Sequence, residues 1–330
     1  MERPSTSAAH SGQKSDLDAG SEASSEHVVY SPSMDADTSF KARLINLLPP
    51  ATVLAVVLFW SLAPDSWRWH SLAFPLAGLI TVAFIQIMEL VFERHPGWRI
   101  NRREFATDLF YLFLSYTAIS WASSTLAETP LMSIKESLGI ATPWLMDLPI
   151  VVQAFLVLAI IEFGQYWMHR LMHNWHPLWL THAPHHHLTQ LNAMKGYVGN
   201  PIELFLVTLS VVSLFDFDLL AIFCAVNVLG AIVGYVRANP PGFYSFVFTT
   251  IRHHSLHHSV GYEETRCNYS NAMILFDRIF GTYREGESAI VGQDERRRLS
   301  IIEQFLFPVY GVRDWLKGRS DPAPASDESI

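Results

Sequence analysis

The sequence predicts an all-α integral membrane protein: a helical bundle with about four spanning helices, a membrane hairpin and a cytoplasmic histidine-rich cap. Three observations lead there. Half of the 330 residues are apolar and only 16% are charged, with a mean hydropathy of +0.19, too hydrophobic for an ordinary soluble domain of this length. Four apolar runs are each long enough to cross a bilayer, which takes about 20 helical residues. Most of the 15 histidines fall in two short stretches.

In chain order, residues 1–40 form a Ser-rich, acidic head without apolar periodicity and are expected to be a disordered tail. It has no apolar core of the kind a signal peptide needs, so the first apolar run is expected to remain as an anchor. Residues 41–290 are expected to form one membrane-embedded domain, with spans at about 44–63, 72–92, 107–127 and 148–168. Glu89, near a span end, is expected to snorkel to water, and Trp67, Trp69, Trp175 and Trp179 to sit at the interface. A fifth apolar stretch, 203–236, is interrupted by Asp216 and Asp218 and reads as a hairpin that dips into the membrane or crosses it at a steep tilt. Residues 291–330 form a cytoplasmic C-terminal segment with a disordered end.

Orientation follows from Lys and Arg in the short loops. Arg94, Arg99, Arg102 and Arg103 crowd one loop, whereas 64–71 offers Arg68 and 128–147 offers Lys135. Both termini and both histidine stretches then lie on the cytoplasmic face, of a bacterial inner membrane or of the endoplasmic reticulum. The net charge of -8 gives no reason to expect a nucleic-acid partner. Cys224 and Cys267 stand far apart, which implies neither a disulfide framework nor a thiolate metal site.

The histidines carry the chemistry. His169 and His173 are an i, i+4 pair and share a helix face. His182, His185 and His186, and later His254, His257 and His258, repeat the pattern H-x2-H-H. These eight imidazoles exceed the needs of one ion, so two metals held close together are the economical account. Neutral imidazole suits iron, copper, nickel or zinc. His187, His253, Glu162, Asp277, Glu263 and Glu264 are candidates to orient the ligands, and His176 is set aside as interfacial. No His-Glu-x-x-His arrangement supports a zinc hydrolase.

These three groups, with Tyr166-Trp167-Met168-His169-Arg170 before them and Asn268-Tyr269-Ser270 and Asp277-Arg278-Ile279-Phe280-Gly281-Thr282-Tyr283 after, resemble the fatty acid hydroxylase superfamily, also called the sterol desaturase family. The resemblance covers roughly residues 105–285. It implies a membrane di-iron oxidoreductase that hydroxylates or desaturates a sterol, fatty acyl chain or related lipid. Such an enzyme uses O2 and electrons from a separate cytochrome b5- or ferredoxin-type donor.

Two positions depart from the family pattern. Asn200 stands before Pro201 where members often carry a histidine, and Arg237 replaces another in Arg237-Ala238-Asn239. Asn200 could offer its amide oxygen to a metal, whereas Arg237 could not ligate as a cation. The departures keep open an alternative, a membrane metal-binding or scaffold protein of the same fold with altered catalysis. Lys195, Arg237, Arg252 and Arg266 are candidate contacts for a redox partner or a lipid head group.

Overall fold

The computed structural model describes residues 40–234, 238–293 and 296–316. Residues 1–39 of the expected tail, Arg237 and the chain end beyond 316 lie outside the described residues. Within them the fold is all-helical, with one isolated antiparallel bridge between Ser259 and Val291.

Helix α1 (Phe40–Asn46) and α2 (Leu48–Ser61) split the first apolar run, because Pro49 and Pro50 occupy the opening turn of α2. Helix α3 (Ala73–Val91) follows. A helical run then extends from α4 (Arg102–Leu114) through α5 (Ser120–Ser123) to α6 (Thr129–Ser137), with π-helical turns at Ser115–Ile119 and Ser124–Glu128. Helix α7 (Ile150–Asn174) leads into α8 (His176–His186). The fifth apolar stretch becomes α9 (Pro201–Thr208) and α10 (Leu219–Val233). Shorter helices α11 (Gly242–Val247), α12 (Ile251–His257) and α13 (Leu275–Ile279) precede α14 (Ile301–Leu316).

By length and composition two helices can cross a membrane, α3 and α7, and α2 and α10 are shorter apolar helices. Helix α10 is the hub, packed against α2, α7 and α3. Its buried positions include Ala221, Cys224, Ala225 and Ala231, small side chains that let neighbouring backbones approach closely. Outward-facing positions on the 102–137 run are strongly apolar, with Phe113 69%, Trp121 68% and Leu126 64% exposed, as expected of a surface that meets hydrocarbon.

The bundle has two distinct ends. At one, Arg68 bonds Asp218 and Lys135 bonds Asp216, so the two acids that interrupt the fifth apolar run meet the loops at 64–71 and 128–147. The chain therefore travels the length of the bundle before α10 returns. At the other end Arg94 donates to Glu287 at 2.6 and 2.5 Å and to Asn239 at 2.9 Å, tying the loop after α3 to the segments around the second histidine stretch. Glu89 does not snorkel: it is buried there and accepts the backbone N–H of Ala193 at 2.9 Å.

Candidate metal centre

Helix periodicity sorts the histidines into two groups. His169 and His173 lie one turn apart on the end of α7 and point to one side. On α8, His182 and His186 are also one turn apart and join them, while His185, about 100° away on the helix, points elsewhere. The second H-x2-H-H run does the reverse: His254 and His258 form the i, i+4 pair that joins His185, and His257 crosses to the first group. One ring nitrogen from each of His169, His173, His182, His186 and His257 lies within 4.8 Å of the others, and the same holds for His185, His254 and His258. Stacked rings of His186 and His258, with centroids 4.5 Å apart, link the groups. The structure thus brings all eight together, every one buried.

The hydrogen bonds bear on what this arrangement could hold. His169 Nδ1 donates to the Tyr269 carbonyl at 2.6 Å, His257 Nδ1 to Cys267 at 2.7 Å and His185 Nδ1 to Val198 at 2.7 Å. A carbonyl only accepts, so each of these neutral rings carries its proton on Nδ1 and bares a lone pair at Nε2. His182 Nδ1 lies 2.7 Å from Glu203 Oε1. Yet His169 Nε2 lies 2.9 Å from His182 Nε2 and 3.0 Å from His257 Nε2. Two bare lone pairs at that distance repel. The contacts are favourable only around a shared cation.

His182 is the centre of the first group, its Nε2 also 3.1 Å from His173 Nε2 and 3.0 Å from His186 Nε2. His258 has both ring nitrogens buried without a hydrogen-bond partner, a costly state unless one of them is ligated. The donor set fits a pair of divalent transition metals. Burial also keeps the rings neutral: it lowers His182 to about 3, and holds His186, His257 and His258 well below the usual histidine value. Neither cysteine joins either group, and Cys267 donates its thiol to the Glu264 carbonyl at 3.2 Å.

The remaining candidates surround the cluster without entering it. Glu162 accepts the N–H groups of Ala272 and Met273, both at 2.8 Å, and Asp277 those of Tyr269 and Ser270 at 2.8 and 2.9 Å. The two acids therefore pin the 269–273 backbone whose carbonyl holds His169. His253 turns away, packing on Tyr283 and capping α12 with Thr250. His187 packs on Phe307 of α14, its Nδ1 3.2 Å from the Arg297 carbonyl. Asn200 has no amide atom to spare: its oxygen accepts from Ile202 N at 2.9 Å as the N-cap of α9, and its nitrogen donates to Gln304 and Phe305 carbonyls at 2.8 and 3.1 Å. Lys195 cannot reach a partner or a head group as expected, because it is buried with its ammonium 2.5 Å from Glu104 and 2.6 Å from Asp108. Arg252 and Arg266 pair with Glu285 and Glu263 near the surface.

Three residues at the site went unrecognised in sequence. Glu203 holds His182. Trp179, expected at the interface, is buried against the rings of His173 and His186. Tyr262 donates its hydroxyl to the His173 carbonyl. Trp179 shares a face of α8 with His182 and His186 at i+3 and i+7, a local signal that could have found it; Glu203 and Tyr262 carry none, since each is defined by a contact with a distant segment.

Residues 154–282, which contain all eight histidines, match the fatty acid hydroxylase family. The ornithine lipid hydroxylase OlsE of Rhizobium tropici is 27% identical over 73% of this chain and 76% of its own length. Human alkylglycerol monooxygenase is 26% identical over 40% of this chain and 31% of its own, and the Xenopus tropicalis enzyme 23% identical over 78% and 52%. The match thus spans about a third to a half of the alkylglycerol monooxygenases and most of the hydroxylase from Rhizobium. No solved structure matches the chain.

Proposed function

We propose that this chain, which belongs to the fatty acid hydroxylase superfamily, is a multi-pass membrane monooxygenase that hydroxylates a membrane lipid, with two irons held by the eight buried histidines. One observation carries the reading: the bare imidazole lone pairs of His169 and His257 face one another at 3.0 Å, with His182 Nε2 2.9 Å from the same His169 nitrogen. His169, His173, His182, His186 and His257 would hold one ion, and His185, His254 and His258 the other. When bound, the irons supply the redox chemistry that activates dioxygen against an unactivated C–H bond, which no side chain can do.

The chain's own residues supply geometry and dryness. Carbonyls of Tyr269, Cys267 and Val198 fix the tautomer and tilt of three rings. Trp179 covers one side of the first group and Tyr269 lies against His173 and His257, which keeps bulk water from the ligand face. Hydroxylation, rather than desaturation, is supported by the relatives, whose names are those of a hydroxylase and monooxygenases acting on lipids. A substrate from the bilayer suits the exposed apolar flanks of the helices.

In this reading the site faces the cytoplasm. The count of cations in the short loops supports this: Arg94, Arg99, Arg102 and Arg103 lie at the histidine end, and Arg68 and Lys135 at the far end. Electrons then come from a separate cytoplasm-side donor of the cytochrome b5 or ferredoxin type. Lipid mass spectrometry of aerobic cells with and without the gene tests the reading. A lipid shifted by one oxygen is expected, with about two irons per purified chain. An unchanged lipid profile with one zinc or no metal favours the non-catalytic alternative.

A further inference from the structure

We propose that Glu203 is a positioning residue of the metal centre: by accepting the Nδ1 proton of His182 it makes that imidazole the most strongly donating of the cluster and offsets part of the positive charge buried there. The inference rests on the metal-site reading above and deepens it.

Four observations lead to it. The other ring N–H groups with a defined acceptor, those of His169, His185 and His257, meet neutral carbonyls, whereas His182 meets a carboxylate at 2.7 Å. A carboxylate draws the Nδ1 proton and pushes electron density toward Nε2, strengthening that nitrogen as a ligand. The ring so treated is the hub, its Nε2 within 3.1 Å of three other histidine nitrogens.

Second, Glu203 is buried, and its ion-pair partner is this imidazole, not a lysine or arginine. A buried anion with no lysine or arginine beside it is expensive. The cost falls away when the ring carries metal charge toward it.

Third, the backbone is shaped around the carboxylate. A Cβ at Gly199 would lie 2.3 Å from Glu203 Oε2, so a side chain there would push the carboxylate off. Fourth, the Asn200 cap and Pro201 set the start of α9 and place Glu203 in its first turn, toward His182. Asn200, where the family pattern carries histidine, thus supports the cluster at one remove.

The test uses the full chain in lipid nanodiscs, stripped of metal and titrated with Co(II) as a spectroscopic probe. Wild type, Glu203→Gln, Gly199→Ala, His182→Ala and the Glu203→Gln/His182→Ala double variant are compared, with thermal melts of the metal-free forms as the check on folding. Gln keeps the shape and an accepting oxygen but loses the charge. It is expected to weaken Co(II) binding by about 10–100-fold and to shift the ligand-field bands. Gly199→Ala is expected to act in the same direction. In the His182→Ala background, Glu203→Gln is expected to change affinity less than about twofold, because the two act as one unit.

Affinity and bands unchanged in Glu203→Gln, or an effect undiminished without His182, would overturn the role of Glu203 and leave the metal site standing. A wild-type chain that takes up no Co(II) would overturn both.

Discussion

At the far end of the bundle Arg68 and Asp218 pair with 23% and 15% of their side chains exposed, whereas at the histidine end Arg94 and Glu287 pair with 1% and 8% exposed. The residue types are alike and the distances similar, but the energetic stakes differ. A water-screened pair contributes up to about 1 kcal/mol. Removing one partner of a buried pair strands a charge at a cost of about 3–5 kcal/mol. One end is a clasp that tolerates loss. The other is a buried polar framework in which imidazoles, carboxylates and an arginine depend on one another.

The largest effect that could break this contrast lies in the cluster. His173→Ala or His257→Ala is expected to abolish iron content and turnover while leaving membrane insertion intact, as read by metal analysis of the purified chain and by lipid product. Retained iron and activity in both variants would mean that the buried nitrogens do not act together.

Next comes the framework. Arg94→Met is expected to lower stability by about 3–5 kcal/mol, measured by thermal unfolding in detergent. A loss within about 1 kcal/mol would put the two ends on the same footing. Acid acts through the same pair. Burial alone would raise the Glu287 carboxyl, but Arg94 and His95 outweigh it and bring it down to about 2. The pair's contribution is therefore present above the ordinary carboxylate value of 4.5 and lost as pH falls from there toward 2.

The histidines themselves set a third, milder dependence. Burial takes His182 from 6.5 to about 3, so the unfolded chain binds a proton below 6.5 that the folded chain refuses. Stability of the metal-free protein is expected to be full above pH 6.5 and to decline as pH falls toward 3. Unfolding curves with and without chelator check it: bound metal should raise stability wherever it stays bound but leave the decline in place, since the folded rings are neutral either way. The smallest effect belongs to the far end: Asp218→Asn is expected to cost about 1 kcal/mol or less, and less still at high salt.

Much of the site could be read from the chain. The i, i+4 spacing of His169 and His173 and the two H-x2-H-H runs named all eight imidazoles that the structure gathers. The turn at Asp216 and Asp218 was also visible, as an interruption in an apolar run. The hairpin's arms were not measurable in sequence, because α9 ends at Thr208 and an irregular stretch makes the rest of the outward path. Lys195 and Glu89 were misread as exposed, since a charged residue beside an apolar run gives no sign of the partner waiting across the bundle.

The sequence by itself determined which atoms could ligate: helix periodicity is local, so spacing along the chain fixes which imidazoles share a face. Only the tertiary structure decided how those faces divide into a group of five and a group of three, which nitrogen of each ring is bare, and that Glu203 stands behind His182. Those facts depend on carbonyls and carboxylates contributed by segments as much as 100 residues apart, as with His169 and Tyr269, and nothing in a one-dimensional pattern encodes a meeting made by folding.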